Sequence, residues 1–404
     1  MDLFAPLNVD AVTPSGRRSR AAQGLTLAAA AGRFELQECD ACGAVQYPPR
    51  EACCRCLSER LTWKMQNGAG DLLARTVLHH SHDPYFLARI PWYVGLVRLD
   101  CGVSVVVHLP ADAPKPPARV RVEAHLDRGG AGVLVAFDQN DGAGSTEDRR
   151  LQEMCSDPRD ANVFVTQGGS LHSQAVVRAL ADAGAARIWV GLESSSEPPA
   201  SPASLRGLSQ VTCVWMDVTD EVCVRAAASV IAGEIDILIN TTSVPGESSQ
   251  VGMNARAEME LHYFSLLNLA RYFSSPMSER AVRRRRLCPA WVNVLSVSAI
   301  PGFPSWGTYG AAMSAARSLS QHLRVHSRGA GLRVVNVYPG PLDERHSKQY
   351  QLPKLGAVPF AQAILEALRE GVEEVFPGEV AQEWARQGYP NQSAGAQPRA
   401  DISR

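Results

Sequence analysis

Two hydrophobic rhythms divide the chain. Between residues 70 and 138, short runs such as "GDLLARTVLHH", "WYVGLVRLD", "GVSVVVHLP", "ARVRVEAHL" and "AGVLVAFD" are rich in β-branched and aromatic residues, and Gly, Pro and Asp separate them. Runs of this kind predict the strands of a small β-barrel. From residue 162 the grammar changes. "NVFVT", "RIWVG", "VTCVWMDV", "IDILIN", "WVNVLS" and "RVVNVYP" are almost continuously apolar, with helical segments such as "HSQAVVRALADAGA" and "YGAAMSAARSLSQHLRVHS" between them. A strand apolar on both faces needs cover on both, so the alternation predicts an α/β domain with a doubly wound parallel sheet. Ahead of the barrel, "QGLTLAAAAGRFELQ" predicts a short helix leading into a cysteine-rich stretch.

Between the two rhythms the chain is polar and charged, which predicts a linker over 139–160. The expected organisation is a small β domain over 20–138, the linker, an α/β domain over 161–388 and a disordered tail over 389–404, whose apolar content is too low to pack.

Composition narrows the function classes. The chain has 404 residues, 45% of them hydrophobic and 20% charged, with a net charge of −1. That balance gives no general attraction to nucleic acid or to anionic membranes. The cationic run "RRRRL" at 283–287 reads as a solvated loop. Tyr85, Phe86, Trp92 and Tyr93 have few arginines near them in sequence, so a barrel that binds single-stranded nucleic acid is disfavoured. No stretch has the apolar length of a membrane span or of a secretory leader, so the cytoplasm is the expected compartment.

Ten cysteines in such a chain point to metal or buried thiols before disulfides. Cys39 and Cys42 form one CxxC pair, Cys53 and Cys56 a second, with ten residues between them. Two thiolate pairs at that spacing close a tetrahedral zinc site and predict a zinc ribbon; with four protein ligands the metal is structural. Cys54 lies inside the second knuckle and is read as a spare. His79, His80 and His82 are read as polar residues at a strand end, since adjacent strand residues point to opposite faces.

The stretch "LQECDACGAVQYPPREACCRC" followed by "WYVGLVRLDCGVSVVVHL" resembles the zinc-ribbon/OB-fold family that accompanies thiolases and thiolase-like aldolases acting on acyl-CoA. The resemblance implies an OB-fold barrel, a thiolase-like partner subunit and a role in holding acyl-CoA.

The second domain resembles the short-chain dehydrogenase/reductase family. "VTQGGS", "DILIN", "VNVLSVS", the Tyr309 segment and "VNVYPGPLD" carry the match in frame and spacing. The resemblance implies a Rossmann fold, NAD(P) as cofactor, and a serine, a tyrosine and a lysine as the proton-transfer set. Ser296 and Tyr309 match the first two; the lysine position, four residues on, is Met313, and an asparagine position falls on His262. The family's phosphate-loop glycines correspond to Gln167, Leu171 and Ser173, while Gly168 and Gly169 fall at variable positions; a shifted loop using those two could still bind a nucleotide, which makes them, with Asp217 and Asn240, the cofactor-binding candidates. Asp217 matches the position beside the adenine, and Asn240 opens what remains of a family motif.

A phenol ionises near pH 10 unless a cation favours its anion, and a thioether supplies no charge. Only four lysines occur, of which Lys348 and Lys354 follow the sixth strand. The expectation is therefore a dehydrogenase-like domain that has lost its chemistry, a pseudoenzyme in which Ser296 and Tyr309 are vestigial and NAD(P) binding is weakened without being excluded. The whole chain then reads as an acyl-CoA-binding and scaffolding subunit of a thiolase-type complex in acyl-CoA breakdown, its α/β domain pairing with itself or with an active dehydrogenase homologue. The alternative is an NAD(P)-dependent oxidoreductase that acts on a 3-hydroxyacyl-CoA and hands the ketone to a thiolase.

Overall fold

The computed structural model describes residues 12–15, 19–140, 148–193, 202–242, 255–283, 287–300, 307–344, 347 and 352–388. The tail 389–404, Lys348 and residues 284–286 of the arginine run lie outside them.

After a helix over Gln23–Ala30, strands β1 (Glu35–Cys39), β2 (Val45–Gln46) and β3 (Leu61–Met65) form an antiparallel sheet in the order β2-β1-β3. A closed barrel follows, made of β4 (Ala69–Leu78), β5 (Trp92–Leu99), β6 (Ser104–Leu109), β7 (Ala118–Leu126) and β8 (Gly132–Asp138). Its order is β4-β5-β6-β8-β7, with β6 and β8 parallel and the other neighbours antiparallel. These strands coincide with the five apolar runs. Alternation sorts their side chains. Val97, Leu99, Val105, Val107 and Leu109 fill the barrel, whereas Leu96 and Val106 stand on the outer wall, 37% and 60% exposed.

The α/β domain has seven parallel strands, β9 (Asn162–Val165), β10 (Arg187–Leu192), β11 (Val211–Trp215), β12 (Ile237–Asn240), β13 (Ala290–Val294), β14 (Arg333–Val337) and β15 (Glu374–Val375). Their order is β11-β10-β9-β12-β13-β14-β15. Successive residues of one strand feed opposite layers: Val163 and Val165 join a core with Val176, Leu180, Phe360 and Ile364, while Phe164 joins another with Leu269, Phe273, Met313 and Leu323. That two-sided burial is why these runs are apolar throughout. The first six strands match the predicted runs; β15 is too short to carry one. The order reverses between β9 and β12, and in such sheets a crevice opens there, at the carboxyl ends of the strands.

The two domains meet at the opposite, amino-terminal end of the sheet. Arg333, the first residue of β14, donates to the carbonyls of Leu126 (3.2 Å) and Asp127 (3.4 Å) at the end of β7. Arg128 donates to Ala281 O at 2.6 Å, and the Glu373 amide to Ala30 O at 2.8 Å. Gly371, at φ +71°, closes the helix Ala357–Glu370; a Cβ there would lie 2.2 Å from Arg333 Nη1, so glycine is what lets the arginine through. Within 139–160 the structure describes a helical turn, Arg149–Gln152, and buries Leu151 and Met154 against Trp92, Val133, Val135 and Phe137 of the barrel. Among the described residues no helix is long and apolar enough to cross a membrane.

Candidate functional site

The ribbon brings the four predicted cysteines together. The sulfur atoms of Cys39, Cys42, Cys53 and Cys56 all lie within 4.8 Å of one another, with Cys39–Cys56 and Cys42–Cys53 both at 3.6 Å. Tetrahedral zinc with bonds of about 2.3 Å sets its sulfur ligands roughly 3.8 Å apart, so the cluster fits that ion. The backbone N–H groups of Cys56 and Arg55 bring the Cys53 thiol down to about 6, toward the thiolate that a metal requires. Cys54 is exposed, in keeping with its reading as a spare. A buried glutamine pair holds the knuckles in register: Gln46 Nε2 donates to Gln37 Oε1 at 3.0 Å, and its Oε1 accepts from the Cys54 amide at 2.9 Å. Neither glutamine stands out in the sequence. The zinc here is structural, since four thiolates leave it no open position.

At the crevice of the α/β domain, the chain ties its own polar groups together. Thr166 Oγ1 lies 3.2 Å from Asn240 Oδ1 and accepts from the Thr241 amide at 3.1 Å. Thr241 Oγ1 donates to Gln167 O at 2.7 Å and accepts from the Gln167 amide. Gln167 Nε2 reaches across to Glu193 at 3.0 Å, and burial together with the Asp217 charge pushes the Glu193 carboxyl up. Gly168 is a packing glycine: its N–H bonds Gly191 O, and a Cβ would lie 2.3 Å from Val190 Cγ1. Gly169 has open space around it. Asp217 caps its own turn, with Oδ1 accepting from the Thr219 amide and hydroxyl at 2.9 and 2.7 Å.

Ser170 caps the helix Leu171–Asp182, its side chain accepting from the Ser173 amide. Leu171 follows at the helix N-terminus with its side chain outward, 59% exposed. His172 points inward and is 1% exposed; Nδ1 lies 2.6 Å from Glu344 Oε1 and Nε2 lies 2.9 Å from Leu355 O. Its ring thus fastens the segment after β14 to the first turn of this helix. The sequence held no local sign of this, because the partners lie more than 170 residues away.

Ser296 is buried and caps the turn Val297–Ala299, accepting from the Ser298 amide at 3.2 Å. The helix Gly307–Ser327 starts against that turn, with Ser314 Oγ bonded to Ala299 O at 3.3 Å. Tyr309 lies in its first turn, half-buried against the core. Four residues on, Met313 is 0% exposed and packs in the layer that holds Leu295, Val297 and Ala299. His262 sits in a π turn, Glu260–Phe264, inside the preceding long helical stretch. Such a turn winds an extra residue into a helix and re-aims its face. The His262 ring meets the Tyr309 ring edge-on, centroids 5.3 Å apart. Burial brings its pKa down to about 4, and Nδ1 has no protein hydrogen-bond partner. Lys354 is exposed.

Comparison with known proteins parallels this geometry. Residues 28–62 match a family model described as the ChsH2 rubredoxin-like zinc ribbon, residues 63–127 the ChsH2 C-terminal OB-fold domain, and residues 161–354 short chain dehydrogenase. A curated protein of Thermomonospora curvata, named a probable enoyl-CoA hydratase alpha subunit, is 33% identical over 82 residues. That stretch is 20% of this chain, which spans a quarter (25%) of the relative's length. Among solved structures, a short chain dehydrogenase of Burkholderia cenocepacia in complex with NADP has 29% identity and a TM-score of 0.48, covering 56% of this chain and 92% of its own. A Streptomyces avermitilis short-chain dehydrogenase has 20% identity and a TM-score of 0.45 over the same shares, 56% and 92%. The chain thus joins a zinc ribbon and OB-fold barrel of the ChsH2 type to a Rossmann domain of the short-chain dehydrogenase type.

Proposed function

We propose that this chain is a non-catalytic, acyl-CoA-binding and scaffolding subunit of a thiolase-type assembly in acyl-CoA breakdown. The ChsH2-type ribbon and barrel, and the similarity to a protein named for an enoyl-CoA hydratase subunit, support the acyl-CoA setting. The silent-domain reading is carried by Met313. A fully buried thioether stands where the family places an ammonium group, and its surroundings are apolar. Without such a charge nearby, a phenol, which in water ionises near pH 10, is a poor proton carrier at neutral pH. His262 is no replacement, because a ring with a pKa of about 4 is neutral at pH 7. The crevice departs from the family's phosphate loop as well: Leu171, with an exposed side chain, stands in the first turn of the helix where the family has a glycine, and Gln167 is committed to Glu193. In this reading Ser296 and Tyr309 are retained for packing, and the outer helices of the domain serve assembly with a second copy or an active homologue.

Met313→Lys tests the point. If the site were a dehydrogenase centre short of one cation, restoring the lysine would give NAD(P)-dependent turnover of a 3-hydroxyacyl-CoA. Here the amine enters an apolar layer and is expected to cost several kcal/mol of domain stability, as an unpaired buried ammonium does, with no turnover in either the wild type or the variant. Reduction of NAD or NADP by the wild-type chain with any 3-hydroxyacyl-CoA would replace this reading with the oxidoreductase one.

A further inference from the structure

A cavity of about 220 Å³ lies on the outer wall of the barrel, between β4, β5, β6 and the short helix Pro84–Leu87. Leu78, Phe86, Ile90, Trp92, Val94 and His108 line it, with Ser81 at the edge. The strand register explains why they converge. Leu78 stands opposite Trp92, and Val94 opposite His108, so all four side chains share the face that points away from the barrel core. The roof is held from outside the cavity. Asp83 caps the helix by accepting from the Tyr85 amide (2.8 Å) and also accepts from Ser15 N and Oγ at 3.0 and 2.8 Å. Tyr85 is 1% exposed, with the Arg89 guanidinium 3.8 Å from its ring centre. Phe86 is thereby aimed at the wall, edge-on to Trp92 at 5.0 Å. Trp92 Nε1 donates to His108 Nδ1 at 2.9 Å; an indole N–H only donates, so the neutral imidazole carries its proton on Nε2. The walls are therefore fixed without a ligand, which lowers the ordering cost of binding.

We propose that this cavity holds the alkyl part of an acyl thioester, a chain of about six to eight carbons or a single ring, given that an apolar cavity of roughly 150 Å³ accepts benzene. The proposal rests on the acyl-CoA reading above and adds where the acyl group sits. The lining is apolar apart from Ser81 and His108, and the flanking Leu78 and Ile90 are 40% and 37% exposed, so a chain can enter from solvent along an apolar lip. The carboxyl-end crevice of the Rossmann domain is a separate place, since the barrel docks at the other end of that sheet.

Calorimetric titration of the full chain with CoA, acetyl-CoA, butyryl-CoA, hexanoyl-CoA and octanoyl-CoA tests this, with sodium octanoate as a probe free of CoA. Affinity should rise with chain length, by up to about fourfold for each methylene buried, giving at least about tenfold from acetyl to octanoyl. Val94→Trp, which fills the cavity, should abolish that dependence on chain length. Leu78→Trp, at the more exposed lip, gives the same readout if the first variant fails to fold. Equal affinity for acetyl-CoA and octanoyl-CoA would overturn the proposal and leave the acyl-CoA reading standing. Octanoate binding that Val94→Trp removes, with no thioester bound, would support the cavity and overturn acyl-CoA as its source. Binding of neither class would overturn both.

Discussion

Cys53→Ser is expected to remove zinc from the chain and unfold the ribbon while the parallel sheet survives. The ribbon has little else to hold it. Its third strand, β3, is exposed or half-exposed along its whole length, and few ribbon side chains beyond Phe34, Leu36, Cys39 and Cys53 are buried apolar groups. In small domains of this kind metal binding is the folding free energy, on the order of 10–16 kcal/mol for structural zinc. Emission spectrometry of purified protein should find one zinc per chain in the wild type and in Cys54→Ser, and none in Cys53→Ser. Limited proteolysis of the latter should cut between the knuckles while leaving the Rossmann domain intact. Full zinc content in Cys53→Ser would rule out the four-thiolate site.

The second large effect is expected at Glu153. Its carboxylate, 7% exposed, accepts from Arg89 Nε at 2.8 Å and lies 3.2 Å from Arg128 Nη1, so one buried anion balances two buried guanidinium groups. Arg128 continues to Ala281 O, which places this cluster at the junction of barrel and sheet. Removing one partner of such a pair strands the others without compensation and costs about 3–5 kcal/mol. Glu279→Ala supplies the control. The ion pair of Glu279 with Arg283 is solvent-exposed, and such pairs contribute about 0–1 kcal/mol. Denaturant unfolding should separate the two variants clearly. A Glu153→Ala chain as stable as the control would mean that the junction does not depend on this carboxylate.

Glu153 also marks where local pattern loses its meaning. Residues 139–160 are polar, and polarity predicts a linker, yet Glu153 is satisfied by arginines 64 and 25 residues away and Met154 packs on the barrel. A buried charge and a solvated one look alike until the partners are known. The strands were legible because their signal is local: a short apolar run, several of them closed by a Gly, Pro or Asp. So were the zinc thiols, whose chemistry needs two close pairs. His172 was not, because its two acceptors come from the segment after β14. The barrel cavity was hidden for a similar reason, being assembled from three strands and a helix. One clue was available there: Asp83 followed by Pro84 has the form of an N-cap and first helical residue, which would have placed a short helix ahead of Trp92.

Tyr309 shows the reverse case, a residue whose identity carries over while its surroundings do not. The His262 ring meets it edge-on and Met313 lies buried four residues on, so in the proposed reading the position serves packing. On that reading the fold would persist without the chemistry that the same fold hosts elsewhere. In the proposed assembly, the barrel would supply the ligand-facing surface and the Rossmann domain a rigid body behind it, with the buried arginines at the junction fixing one to the other.

The most direct measurement is calorimetric titration of the full chain with NADH and with NADPH. The account predicts no saturable heat from either, and no rise in melting temperature at saturating dinucleotide, because Leu171, Gln167 and Met313 take the places of the groups that would receive it. A single-site isotherm with a micromolar dissociation constant for either dinucleotide would contradict it.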